Sequence, residues 1–207
     1  CLSCHGPEGI GATYMSVSNP EFLASIGDDF LRTTIMKGRA GTPMAGYETQ
    51  ISPQGIEDLV ALIRSWQTET RSHPVGDITI DFENMILNPA GPEPDFEEGE
   101  RFVGVDKVNE AMELGARMAL LDARPSSDYL LEHITGAVSL PFYSAEDYVD
   151  ELPKDVWLVV YCGCPHAESG QVADILEAAG FTTVKVLDEG FYEWKARGYP
   201  ITTGATN

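Results

Sequence analysis

The chain begins Cys1-Leu2-Ser3-Cys4-His5-Gly6, and this C-x-x-C-H run constrains the fold of its first part more than any other feature. Two thiols at that spacing can add across the two vinyl groups of a haem while the adjacent imidazole reaches the iron, the pattern of c-type haem attachment. The competing readings fare worse. A zinc site needs further Cys or His ligands, and the next histidine is His73. A redox C-x-x-C would follow a strand in a βαβ pattern, and the sequence offers none before Cys1. A mature lipoprotein also starts at cysteine, but acylating Cys1 would consume a thioether position. The expected cofactor is one covalent haem c held through Cys1 and Cys4.

His5 then supplies one axial ligand, and the iron needs a second. Met44 is the best placed, in the loop Gly41-Thr42-Pro43-Met44-Ala45-Gly46-Tyr47, because a thioether on a Gly/Pro loop can approach the metal without disturbing a helix. Met/His ligation raises the potential. Met36 falls in the amphipathic run 28–38, where Phe30, Leu31, Thr34 and Ile35 suggest one packed face, so it is expected in the core. Met15 lies close behind His5. Ser52-Pro53 reads as an N-cap followed by proline at the first helical position, and Ile56, Leu59, Val60, Ile63 and Trp66 recur at helical spacing. Together the attachment run Cys1–Gly11, the Met44 loop and the helix ending at Trp66 resemble a class I cytochrome c domain over residues 1–68. The resemblance implies an all-α fold and one-electron transfer with a redox protein partner. It also implies a periplasmic or other location outside the cytoplasm, where haem is attached. In that family a helix precedes the attachment run. Here an upstream helix and an export signal are expected to be missing from the sequence.

A net charge of −20 excludes a nucleic-acid surface, which needs Lys and Arg to neutralise phosphates. No apolar run approaches the roughly 20 residues of a membrane span, so no transmembrane segment is expected. The four cysteines fall in two close pairs, Cys1/Cys4 and Cys162/Cys164, which is not the framework of a small disulfide-rich domain. Residues 69–100 read as an acidic linker broken by Pro74, Pro89, Pro92 and Pro94. Within it, 78–82 alternates like a short strand, and His73 reads as solvated.

From residue 101 strand-like and helix-like segments alternate. Strands are expected at 101–105, 118–122, 136–140, 157–161 and 183–187, with helices at 106–114, capped by Asp106, and at 168–179. Such alternation predicts an α/β domain over 101–207 with a central parallel sheet and helices on both faces. Cys162 ends the most apolar strand, just before a helix. Backbone N–H groups and the helix dipole favour an anion there and are expected to lower the thiol pKa. Cys164, two residues on, could attack a Cys162 persulfide or be the carrier itself. His166 could hold the Cys162 thiolate or shuttle a proton.

Leu121-Asp122-Ala123-Arg124-Pro125, His133-Ile134-Thr135-Gly136-Ala137-Val138-Ser139-Leu140-Pro141, Tyr161-Cys162, the run 186–194 and Gly198-Tyr199-Pro200-Ile201 resemble a single-domain rhodanese. The resemblance puts Cys162 at the sulfur-accepting position and Arg124 and His133 at structural ones. The loop departs from the usual pattern: it carries no Arg or Lys from Cys162 to Gly170, and Glu168 stands where a rhodanese-like phosphatase needs arginine. The leading expectation is a haem electron-transfer protein carrying a sulfur-handling domain, with a small sulfur compound as substrate. The alternative is an electron carrier whose rhodanese-like domain is an inactive docking or regulatory module.

Overall fold

The structure, a computed structural model, describes residues 1–11, 14–39, 43–67, 80–163 and 166–205. The chain divides into two compact units, Cys1–Pro74 and Val75–Asn207. The expected roles of Cys164 and His73 lie outside the described residues, as do residues 78 and 79 of the strand expected at 78–82, whose described residues 80–82 form no strand.

The first unit is helical: α1 (Leu2–His5), a 3-10 turn at Pro7–Gly9, α2 (Pro20–Ser25), α3 (Asp28–Lys37) and α4 (Pro53–Ser65). α4 starts as the sequence predicts, with Ser52 Oγ accepting from Gly55 N at 3.1 Å and Pro53 opening the helix. Ile56 and Val60 on α4 and Leu31 and Ile35 on α3 are buried, and the two helices pack together. Arg32 reinforces the seam with a two-pronged bond to Glu57, at 2.6 and 2.9 Å. The predicted face on α3 is narrower than expected. An i, i+4 pair shares one side of a helix, so Leu31 and Ile35 turn inward together. Phe30 is rotated away and stays 39% exposed under the Arg39 guanidinium, and Met36 is only half-buried.

The second unit is built on a sheet. Its elements are β1 (Ile86–Leu87), β2 (Phe102–Val103), α5 (Val105–Glu113), β3 (Met118–Asp122), α6 (Ser126–Leu131), β4 (His133–Ile134), β5 (Ala137–Ser139), a 3-10 stretch (Ala145–Glu151), β6 (Trp157–Tyr161), α7 (Ala167–Ala178), β7 (Val184–Leu187), α8 (Gly190–Ala196) and β8 (Ile201–Thr202). Strands β3, β6, β7 and β2 lie side by side and parallel, with β5 parallel on the second half of β3. The buried apolar runs of β3 and β6 follow from coverage on both faces. Val159, Tyr161 and Leu120 share a core with Val108 of α5 and with Phe191 and Trp194 of α8. Alternation turns Leu158 and Val160 to the other face, where α7 contacts β6 and β7 and buries Val172, Ala173 and Leu176.

Two expectations need correction. The sheet is mixed rather than parallel, because β1 pairs antiparallel with the first half of β3, Ile86 opposite Ala119. That strand comes from the segment read as linker, whose described part is built into the second unit. Met85 is fully buried, Phe96 meets Trp157 edge-on at 5.6 Å, and Lys185 Nζ donates to the carbonyls of Glu97 and Glu100. Scattered apolar residues between prolines were the only trace of this in the sequence. Asp106 also does not cap α5. The helix opens at Val105, whose N–H donates to Glu189 Oε2 at 2.9 Å, while Asp106 bonds Tyr199 Oη and Arg197. The cap comes from 84 residues away, beyond the reach of a local pattern.

Candidate active site

β6 carries the chain to Cys162 at the carboxyl end of the sheet, where crevices form in open α/β folds. Cys162 is fully buried. Its carbonyl accepts from Phe191 N at 2.9 Å, so the first turn of α8 pins the cysteine backbone. Following the alternation of β6, its side chain turns toward α7. There Sγ lies 3.2 Å from Ser169 Oγ, a fully buried hydroxyl in the first turn. Ser169 was not singled out from the sequence; its only signal is its place seven residues after the thiol, at the start of a helix.

The loop out of Cys162 is shaped by close neighbours. A Cβ on Gly163 would sit 3.0 Å from Tyr192 Cε2 and 3.4 Å from Arg124 Cδ, so the backbone passes closely between these two side chains. At the far end His166 takes the left-handed conformation, φ 66°, and occupies the N-cap position of α7. That conformation is uncommon for residues other than glycine, and histidine is one of the few in which it is enriched. Its ring lies against Phe102, centroids 4.2 Å apart, and its Nε2 lies 2.7 Å from Asp188 Oδ1. The structure therefore engages the His166 ring with Asp188 and gives Cys162 Sγ Ser169 as a neighbour. Glu168, buried, stands in the first turn of α7, where a carboxylate complements the positive end of the helix.

Behind the loop lies a buried charge pair. Arg124 Nε and Nη2 donate to Asp122 at 2.9 and 2.5 Å, and Nη2 also reaches Glu132 O at 2.7 Å. The guanidinium lies 3.9 Å over the Phe191 ring. Burial opposes the Arg124 charge, but Asp122 outweighs it and holds the group firmly protonated, its pKa above the ordinary value. Burial, with the Asp122 charge, likewise pushes the Tyr161 hydroxyl well up, which keeps it neutral to accept from Ile134 N at 3.1 Å. His133 is fully buried, stacked on Tyr129, with Nδ1 bonded to Tyr129 O at 2.9 Å. Arg124 thus lies against the loop at Gly163, while the contacts of His133 are with Tyr129.

In the first unit Cys1 is the N-cap residue of α1 and Cys4 lies within that turn; both are free thiols. His5 Nδ1 is 2.9 Å from Met15 O. A carbonyl only accepts, so Nδ1 holds the proton and Nε2 keeps its lone pair. Burial lowers the His5 pKa, favouring that neutral ring. A bond of this kind is what orients metal-bound histidines. Met44 is half-buried, and its carbonyl accepts from Arg39 N at 2.9 Å beside the Gly38–Ala45 bridge. A Cβ on Gly38 would collide with Met44 O, and one on Gly46 would lie 2.5 Å from Met36 O, so two glycines let the methionine loop cross close over the end of α3. Among the described residues no three His, Cys, Asp or Glu side chains converge as a metal site, and no helix is long and apolar enough to cross a membrane.

Residues 105–197 match the family profile described as "Rhodanese-like domain". An HTH-type transcriptional regulator of Mycobacterium tuberculosis is 36% identical over 89 residues, which make up 42% of this chain and 39% of the regulator. The thiosulfate sulfurtransferase GlpE of Pseudomonas fluorescens is also 36% identical over 89 residues, 42% of this chain and 79% of that protein. The solved rhodanese-like domain of an Anabaena protein is 28% identical, covering 50% of this chain and 80% of that one with a TM-score of 0.47.

Proposed function

Because the chain belongs, through residues 105–197, to the rhodanese-like family, we propose that its second unit is a sulfurtransferase domain with Cys162 as the carrier. The Cys162 thiolate attacks the sulfane sulfur of a donor. A new S–S bond forms, the donor's own bond to that sulfur breaks, and the electron pair leaves with the rest of the donor. A second nucleophile then removes the sulfur and returns the thiolate, with no net oxidation. The observation that carries this reading is the buried Cys162 Sγ, 3.2 Å from Ser169 Oγ at the opening of α7. A hydroxyl there can donate to the thiolate, and to the persulfide after transfer. The relatives named as thiosulfate sulfurtransferases supply the first donor to try, with cyanide as acceptor. Thiocyanate formation that vanishes in Cys162→Ser supports the reading. Full activity in that variant would move the carrier elsewhere, and inactivity of the parent with every sulfane donor would favour the docking-module alternative.

The first unit, in the same proposal, would carry a c-type haem, with Cys1 and Cys4 holding it covalently and His5 and Met44 binding its iron. The two free thiols within one turn, the lone pair left on His5 Nε2 and the glycine-framed Met44 loop fit that group. When bound, the haem supplies one-electron exchange with a redox protein partner, outside the cytoplasm. His5 is held for the task by Met15 O, and Gly38 and Gly46 keep the Met44 loop closed. The test is expression in an export-competent host, followed by denaturation and extraction into acidified organic solvent. Haem that stays with the polypeptide supports covalent attachment; haem that leaves freely refutes it. An unchanged spectrum in Met44→Ala would refute Met44 as an iron ligand.

A further inference from the structure

A sulfur donor reaching Cys162 meets an unusual charge environment. Arg124 is the cation against the loop, its Cδ 3.4 Å from the Cβ position of Gly163, but it is paired with the fully buried Asp122. The pair is neutral as a whole, and a buried pair of this kind is costly to pull apart. Arg101 reaches α7, donating to Gly170 O at 2.9 Å, and it is ion-paired with Asp174 and Glu177 on the same helix. The other Lys and Arg side chains of residues 80–205 are each held by a carboxylate or a main-chain carbonyl. The positive end of α7, the usual receiver of an anion, already has the buried Glu168 in its first turn. A neutral hydroxyl, Ser169 Oγ, lies beside Sγ, and the aromatic Tyr192 lies against Gly163. The chain as a whole carries −20.

We infer that the sulfur donor of this site is a persulfide with an uncharged or cationic body, and that the thiosulfate dianion is a poor substrate. The inference rests on Cys162 being the sulfur acceptor. The transfer is balanced: Cys162–S⁻ attacks the terminal sulfur of R–S–SH, giving Cys162–S–SH and R–S⁻, which takes a proton from water. The dianion would have to leave its hydration shell for a site with no uncompensated cation among the described residues. Losing even one charge-assisted contact of about 1.5–3 kcal/mol corresponds to roughly a tenfold to hundredfold loss in kcat/KM.

The test compares thiosulfate with the persulfides of 2-mercaptoethanol and cysteamine on the full chain, each at low and high ionic strength. Persulfides should exceed thiosulfate in kcat/KM by at least about tenfold. The thiosulfate value should rise with salt as like-charge repulsion is screened. Glu168→Gln should narrow the gap between donors. Thiosulfate equal to or better than the persulfides, or a thiosulfate kcat/KM that falls with salt, would overturn the inference, since a fall with salt reports attraction by a cation. Persulfide transfer that persists in Cys162→Ser would overturn the acceptor assignment instead. No transfer from any of the three donors would end both readings.

Discussion

Removing the Asp122 carboxylate tests whether the site stands on the buried charge pair. Asp122 is fully buried and Arg124 is 3% exposed. In Asp122→Ala the guanidinium loses the contacts of Nε and Nη2, and Arg124 N loses its 3.0 Å bond to Oδ1. The bond to Glu132 O, the Phe191 and Tyr161 rings and the more distant Asp128 charge are left to compensate a charge that water cannot reach. Breaking one side of a buried pair costs about 3–5 kcal/mol. With a urea m-value of about 2 kcal/mol/M, the unfolding midpoint of the second unit should fall by about 1.5–2.5 M. Tryptophan fluorescence is a suitable probe, since Trp157 and Trp194 lie in this unit. Asp122→Ala/Arg124→Met removes both charges together, and should recover most of the loss because an apolar replacement of a buried pair is often neutral. A single variant less than about 1 kcal/mol below the parent would refute the reasoning. So would a double variant no better than the single one.

Ser169→Ala should lower persulfide-transfer kcat/KM by roughly tenfold, the worth of one hydrogen bond to a charged sulfur, with little change in the thermal midpoint; unaltered kinetics would remove Ser169 from the mechanism. Glu189→Ala should cost about 0.5–2 kcal/mol, as loss of an N-cap does, seen as a lower urea midpoint for the second unit; an unchanged midpoint would show that the α5 cap is idle. Gly38→Ala should destabilise the first unit by more than the about 1 kcal/mol of an ordinary conformational penalty, because the new methyl meets Met44 O at a positive φ; a melt no lower than the parent's would contradict the close crossing of the Met44 loop.

How far the sequence reveals this protein depends on how far apart the interacting residues lie. β3 and β6 occur where the apolar runs put them, residue for residue, because a strand buried on both faces reads as a near-continuous apolar run, broken in β3 only at its last residue, Asp122. The N-cap of α4 was readable because Ser52 and Gly55 are three residues apart. Cys162 was readable because a thiol between an apolar strand and a helical pattern has few other places to be. The failures share a cause. β1 is two residues long, too short for a period to register, and it is specified by its pairing with β3. The cap of α5 comes from Glu189, and His166 is fixed by Asp188, 22 residues on. Such partners meet only once β7 has been laid beside β6.

The same distinction decides what the active loop can hold. Read along the chain, the loop lacks a cation, and Arg124 is only a distant residue of structural type. Folding brings Arg124 against Gly163 and at the same time compensates it with Asp122. A count of charges near the thiol would therefore find an arginine and expect an anion-binding site. The pairing leads to the opposite conclusion: that arginine is a buried strut, held in place because its charge is already answered. On the proposed reading, the neutral hydroxyl of Ser169 and the carboxyl of Glu168 then set the surroundings of Cys162, which would suit a donor that brings little charge of its own.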